Sequence, residues 1–569
     1  MGLTSALGIG RTALAAYQAA LQVVGNNIAN VATPGYTRNT ADLGAIAGAN
    51  FRAGQLGNGV RLVGIRRGVS ESINARLRDA SSDLLSASSE QATLDRLEGI
   101  FNPLGDTNLG TLMSQFFKSL SDLQNNPENF ATRGIVVNNA QYLTQRIRDI
   151  HQDILGVHAD LNAEITSAVA RADDLATQVA DLNTRITTAE AGSGGAQASS
   201  LRDQRDQVLA ELSEILSVTI REQPSGAVNV YVGNESLVQF GQSFGLTTGS
   251  EIDSDGLSRV SVRLAINDGP VTPSSGQIEG LITARDSHIA SQLSRLDTLA
   301  TGLMGEFNKI HAGGKGLKGF SDLIGVSAVL DPTLPLSQAD NGIAFLPKTG
   351  SFFIDVKDAA TGTTIRTQVN IDLDGIGTDS TLNSVAADIT ANVPNVTATV
   401  LADGRLQITA ASGYEFSFAD DTSGFLAAMG LNTFFTGESS LDININPLIA
   451  GDPLLLAAAK SDVEGDGTNA TDMASLQDQA VVSFGGVSLN EYYTTAMADV
   501  AVRLSGARTA YEASSVIFDS LTVQRESISG VNLDEEAVAM ISYQRAYEGA
   551  ARYMSVVDEM LQTLLSLVR

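Results

Sequence analysis

The chain contains no cysteine and no tryptophan, only four histidines and 12 prolines, and aromatic residues occupy 5% of its 569 positions. Each shortage excludes something. Without cysteine there are no disulfides, no thiolate metal ligands and no cysteine nucleophile. Four histidines in so long a chain argue against a His-rich metal centre. Basic residues are scarce as well: 36 Lys plus Arg stand against 64 Asp plus Glu, a formal net charge of -28. Phosphate binding needs clustered Lys and Arg, so nucleic acid is not expected as a main partner. Long apolar runs are missing too. The weakly charged opening segment is interrupted by Gln18, Gln22, Gly25, Asn26, Asn27 and Asn30, so no stretch of about 18–20 apolar residues is available to insert into a membrane. A signal peptide with Arg11 ahead of Ala13–Val24 is disfavoured, because the apolar residues there form a helical stripe rather than a solid block. HExxH and P-loop patterns are absent. No enzyme, metal or cofactor is expected.

What is present is helical pattern and unevenly placed charge. Hydrophobic residues at 43% suffice for packed cores, and the length suggests three to five domains at roughly 100–200 residues each. Residues 1–41 carry only Arg11 and Arg38, whereas residues 341–470 hold 16 acids and five bases. Leu7, Gly10, Leu14, Tyr17, Leu21, Val24, Ile28 and Val31 alternate spacings of three and four, the seam of a coiled-coil-like helix. Its flanks are Ala, Gln, Thr and Asn, too little charge to solvate a free helix. At the far end Asn532 and Glu535 have the form of a capping box. The same spacing follows in Tyr543, Ala546, Ala550, Tyr553, Val557, Met560, Leu564 and Leu567. The two ends should pair as a hairpin. Their remaining faces should be covered by other molecules, with Leu7, Leu14, Leu21, Val24, Ile28, Tyr543, Tyr553, Val557, Met560, Leu564 and Leu567 as the assembly interface.

Between the ends, the longest helix is predicted over about 132–190, on a seam from Leu143 through Ile165 to Ala189 with a 4-4 stutter at Val157–Leu161–Ile165. Gly192-Ser193-Gly194-Gly195 should end it. Further helices are marked by Ile73–Leu94, Val208–Ile215, Ile289–Ile310 and Tyr493–Leu521. Strands are predicted at Ala227–Val232, Ser258–Ile266, Ser351–Val356, Thr364–Leu373, Thr397–Leu401 and Arg405–Thr409, the last two joined at Ala402-Asp403-Gly404. The expected fold is mainly α with β inserts. It is an elongated multidomain protein with coiled-coil-like paired N- and C-terminal helices, a long helical-bundle domain from discontinuous segments, and outer β-rich domains. The expected boundaries are 1–45 with 530–569 for the terminal assembly domain and 46–220, 276–340 and 470–529 for the helical bundle. A small β domain takes 221–275, and an acidic outer domain 341–469. His151 and His158, two turns apart, read as the exposed polar face of a helix, and Asp372–Gly377 and Glu464–Gly467 as turns rather than calcium loops.

Residues 25–39, Gly-Asn-Asn-Ile-Ala-Asn-Val-Ala-Thr-Pro-Gly-Tyr-Thr-Arg-Asn, closely resemble the N-terminal signature of bacterial flagellar rod, hook and hook-associated proteins. The signature positions are Asn26, Asn27, Ile28, Asn30, Thr33, Pro34, Gly35 and Tyr36, and only Ala32 departs from the usual pattern. Ser529–Ala537, Tyr543–Tyr547 and Asp558–Leu561 are similar to the family's C-terminal signature. Leu201–Glu211, Val228–Val232 and Phe416–Leu431 resemble its hook-associated members. The resemblance implies a structural subunit at the junction of hook and filament, self-associating in a ring or tube. Hook protein and a second hook–filament junction protein would be its neighbours. It further implies an extracellular flagellar location, reached by type III export without a cleaved signal peptide, and an export chaperone that binds Val557, Met560 and Leu564 beforehand. The alternatives are a hook or filament subunit, or a secreted adhesin using the acidic outer domain.

Overall fold

The computed structural model describes residues 3–567 apart from 49, 52–53, 56, 102–107, 193–196 and 254–255. Among these, the helices in chain order are α1 (Leu3–Ala29), α2 (Glu71–Phe101), α3 (Leu109–Asn125), α4 (Phe130–Ala191), α5 (Ser199–Ile215), α6 (Gln277–Thr283) and α7 (Ala290–Ala312). They continue with α8 (Leu382–Asn392), α9 (Phe425–Ala428), α10 (Pro447–Gly451), α11 (Thr468–Ser475), α12 (Leu489–Ser529) and α13 (Leu533–Leu567). Two compact units result. One comprises residues 1–93, 160–285 and 505–569, the other 94–159 and 286–504. The segments expected to form one discontinuous bundle are thus shared between both units.

In the unit that holds the chain ends, the second half of α4 buries Leu161, Ile165, Ala172, Val179 and Ile186. A four-stranded antiparallel sheet, in the order Thr219–Glu222, Val228–Val232, Glu235–Gln239 and Gln242–Ser243, contributes Val228, Val230, Val232 and Val238 to the same core. Asn183, fully buried, pins helix to sheet. Its amide donates to the Val228 carbonyl at 2.8 Å, while its oxygen accepts from the Val228 N–H at 2.9 Å and from Arg205 at 3.1 Å. Every residue of the predicted α4 seam is buried except Ala189. That helix ends at Ala191, one residue before the predicted break; Ser193, Gly194 and Gly195 lie outside the described residues. An antiparallel pair, Asn39–Ala45 with Val60–Arg67, was not expected. Its strands bury neither face fully, so they carry no clear polar–apolar alternation.

The other unit is built on a phenylalanine cluster. Phe116, Phe307, Phe434 and Phe435 are almost fully buried, and ring centroids between Phe307, Phe434 and Phe435 lie 4.8–5.1 Å apart. Three-stranded antiparallel sheets follow: Asp322–Ala328, Arg405–Ala410 and Val396–Val400 form one, and Thr364–Ile371, Gly350–Asp358 and Tyr414–Ala419 the other. The turn at Ala402-Asp403-Gly404 joins its two strands as predicted, and α8 was not foreseen. Lys315 and Asp355, 3% and 2% exposed, form a buried ion pair that Arg366 and Asp462 extend.

Candidate assembly site at the paired chain ends

The N-terminal helix and the C-terminal helix pack against each other along their length. They run antiparallel, since Gly10 lies against Met554 and Tyr553 while Asn27 meets Glu536. A Cβ on Gly10 would sit 2.5 Å from Met554 Sδ, so the missing side chain is what permits the approach. The face that α1 buries most deeply is Ala16, Ala20, Val23, Val24 and Asn27. Of the predicted interface on α1, Val24 is therefore buried, and Leu7, Leu14, Leu21 and Ile28 are only half-buried. From Ala539 on, the α13 positions that are buried or half-buried are Ala539, Tyr543, Ala546, Ala550, Met554, Val557 and Leu561, and the Tyr553 ring also reaches Gly10. Val557 is 3% exposed, but Tyr553, Met560 and Leu564 are 41%, 52% and 48% exposed. The Leu567 side chain lies outside the described residues. The small-residue face was missed because Ala16 and Ala20 look like flanks beside leucines. Their spacing to Val23 and Asn27, four, three and four, is nonetheless helical.

At the base of this pair the two signatures meet. Asn27 uses all its hydrogen-bonding capacity: its amide donates to the Asn39 carbonyl at 2.8 Å and to Glu536 Oε2 at 2.9 Å. Its oxygen accepts from the Tyr36 hydroxyl at 2.8 Å and the Asn39 N–H at 3.0 Å. Arg38 then donates from Nε to Glu536 Oε1 and from Nη1 to Glu535 Oε2, both at 2.8 Å. Its backbone N–H reaches the Ser529 carbonyl at 2.9 Å. Glu536 is 1% exposed, and such a buried carboxylate is tolerable only because paired donors reach both oxygens. Asn532 caps α13 by accepting from the Asp534 N–H at 2.9 Å, while the Glu535 carboxylate turns to Arg38. Three acids in the first turn of α13 also suit the positive end of the helix dipole. Burial, with Asp203 and Glu536 nearby, raises the pKa of the Tyr36 phenol.

The remaining signature residues shape the exit from α1. Asn30 donates to the Asn26 carbonyl at 2.9 Å, and the Thr33 N–H to the Asn30 carbonyl at 2.9 Å. Pro34 stops the helix and Gly35, at φ +76°, makes the turn that a side chain would strain. Asn26, Asn30, Thr33, Pro34 and Gly35 line a groove of about 570 Å³ opposite Ser199, Gln204 and Gln207 of α5. Its lining mixes amides and hydroxyls with the apolar Val23, Pro34 and Ile65, and Asp203 is the one acid among them.

Elsewhere, patterns that suggest chemistry are used structurally. Gly314-Lys315-Gly316-Leu317-Lys318-Gly319 spells GxGxxG. It follows α7 and precedes the strand Asp322–Ala328, whereas dinucleotide binding needs strand before and helix after. His151 and His158 are buried at 8% and 7%, not on an exposed face. Ser440 donates to Asp297 at 2.5 Å and sits 2.6 Å from His151 Nδ1. The hydroxyl hydrogen thus points to the carboxylate rather than to the imidazole, and Ser440 is fully buried, so no nucleophile is generated.

Comparison with known proteins finds matches for segments that hold most of the signature cluster, with Arg38 and Asn39 just beyond the first. A family model described as flagella basal body rod protein matches residues 7–37, and one described as flagellar basal body rod FlgEFG protein C-terminal matches 524–567. The model for the helical domain of flagellar hook-associated protein FlgK matches residues 94–323. The chain is similar over its full length to flagellar hook-associated protein 1. Flagellar hook-associated protein 1 of Salmonella typhimurium is 27% identical over 99% of this chain and 100% of its own length. The Escherichia coli relative is 25% identical over 99% and 100%, and that of Bacillus subtilis 24% identical over 100% and 98%. In fold, the chain is similar to the flagellar hook junction protein FlgK from Burkholderia pseudomallei, with TM-score 0.51 and 16% identity over 80% of this chain and all of that one. Among the described residues, no helix is long and apolar enough to cross a membrane.

Proposed function

We propose that this chain is a structural subunit of the bacterial flagellum, located outside the cell, that forms the junction between hook and filament. The observation that carries the proposal is the α1–α13 pair: two terminal helices locked together at one end by both family signatures, with Tyr553, Met560 and Leu564 left exposed along the other. Contiguous exposed apolar surface of this kind is characteristic of a protein that is buried on assembly. Self-association in a ring or tube would cover it, with hook protein and a second junction protein as neighbours. Before secretion, Met560, Leu564 and the neighbouring Val557 would be the contact for an export chaperone. Export as an unfolded chain suits a protein without cysteine.

Electron microscopy of a deletion strain tests the reading. Hooks that end bare, with flagellin shed into the medium, are expected. Hooks carrying normal filaments would overturn it, and loss of hooks altogether would assign the chain to the hook instead.

A further inference from the structure

Thr37 and Arg38 are consecutive residues between the Gly35 turn and the strand that begins at Asn39, and their side chains reach different helices. Arg38 reaches Glu535 and Glu536 on α13. Thr37, 5% exposed, donates its hydroxyl to Asp203 Oδ1 of α5 at 2.5 Å. Arg67, directly across the strand pair from Asn39, holds the same carboxylate from Nε at 2.9 Å and pairs with Asp206 one turn on. Its side chain is 6% exposed. Glu71 and Arg78 of α2 complete the charged surroundings. The Gly35 turn also rests against the Gln207 side chain of α5. Burial raises the pKa of the Asp203 carboxyl, while Thr37 and Arg67 favour its charged form.

We propose that Thr37 and Asp203 are positioning residues for the terminal helix pair. They fix the short segment from which Tyr36, Arg38 and Asn39 reach Asn27 and Glu536, so α5 and the closed α1–α13 pair are thermodynamically coupled through residues 36–39. The inference bears on assembly only through the reading of the pair given above, but the coupling is a property of the single chain. Removing the Thr37 hydroxyl leaves a buried carboxylate short of a donor. The segment then has less reason to stay where Arg38 can bridge to α13, and closure of the pair weakens although the altered side chain faces α5. Linkage requires the converse: weakening the Glu536 end must loosen α5 by the same factor.

Limited trypsin digestion of the purified full chain tests this. Arg545 and Arg552 are exposed on α13, and with trace protease their cleavage tracks the population of opened helix. Thr37→Val should raise the initial cleavage rate there by about 5–10-fold, and Thr37→Ser, which keeps the hydroxyl, should return it to within about twofold of the parent. Glu536→Gln should in turn raise amide exchange in α5 by a comparable factor. Faster cleavage at Arg202 and Arg205 of α5 with unchanged rates at Arg545 and Arg552 would overturn the proposal. Should Thr37→Val lose its native near-ultraviolet circular dichroism, Asp203→Asn takes its place with the same two outcomes. No flagellum enters the assay, so failure here leaves the junction reading standing, and bare hooks in the deletion strain would leave this coupling to be judged by its own result.

Discussion

Glu536→Gln is the perturbation for which the structure gives the clearest magnitude. The substitution keeps volume and shape but replaces one carboxylate oxygen by an NH2 group. Arg38 Nε approaches Oε1 and Asn27 Nδ2 approaches Oε2, so whichever way the amide is turned, a donor faces a donor in a site 1% exposed. A hydrogen bond to a charged group contributes about 1.5–3 kcal/mol, and one is lost outright. Arg38 keeps its bond to Glu535, which is 58% exposed and screened by water, so the offset is small. The closed pair should be destabilised by about 2 kcal/mol, which raises its opening equilibrium about 30-fold. Hydrogen exchange of the α1 amides between residues 12 and 28 reads this directly. Asn27→Asp provides the contrast: it conserves shape and sets a second carboxylate against Glu536, so exchange should rise further. Less than a threefold change in Glu536→Gln, or equal effects in the two variants, would refute the assignment of the signature cluster as the lock of the terminal pair.

Other expectations follow from individual sites. Gly35→Ala places a side chain at φ +76° and should cost about 1–2 kcal/mol, read as faster exchange in residues 27–39 with the rest of the chain unchanged. His311 is fully buried; its Nδ1–H donates to the Asn432 carbonyl at 2.8 Å and its Nε2 accepts from the Ala457 N–H at 3.0 Å. Burial lowers its pKa from 6.5 to about 4, so between those values the unfolded chain binds the proton that the folded one refuses. Stability of its unit should therefore fall as pH drops from 6.5 toward 4, by about 3 kcal/mol in all, and His311→Gln should flatten that slope in thermal unfolding.

Where one face of an element is buried in a single direction, its pattern was readable. The α4 seam from Leu143 to Ile186 is buried as the spacing required, because a long helix packed on one side expresses the 3.6-residue period without competition. The terminal helices obeyed the same period yet concealed two facts. On α1 the deepest contacts are made by Ala16 and Ala20, since small residues allow the closest approach, and leucine stripes draw attention away from them. On α13 the predicted seam drifts after Ala550: Met554 and Leu561 are more buried than Tyr553 and Met560, although the Tyr553 ring still reaches Gly10. A continuous apolar stripe cannot say which of its edges faces the partner helix. The signature residues were legible as a motif but their chemistry was not, because the bond from Asn27 to Glu536 joins positions 509 residues apart. Likewise the buried histidines of α4 and α7 gave no sequence signal; their partners Ser440 and Asn432 come from distant loops.

The central claim is that the exposed flank of the terminal pair is the assembly surface, and Leu564→Asp tests it most directly. Leu564 is 48% exposed, so a carboxylate there is solvated in the free chain and costs its fold little. Buried against a neighbour it would be an unpaired charge in an apolar contact. Cells producing this variant should carry hooks without attached filaments, while the purified protein keeps the thermal unfolding of its two units. Normal filaments on those hooks would contradict the account.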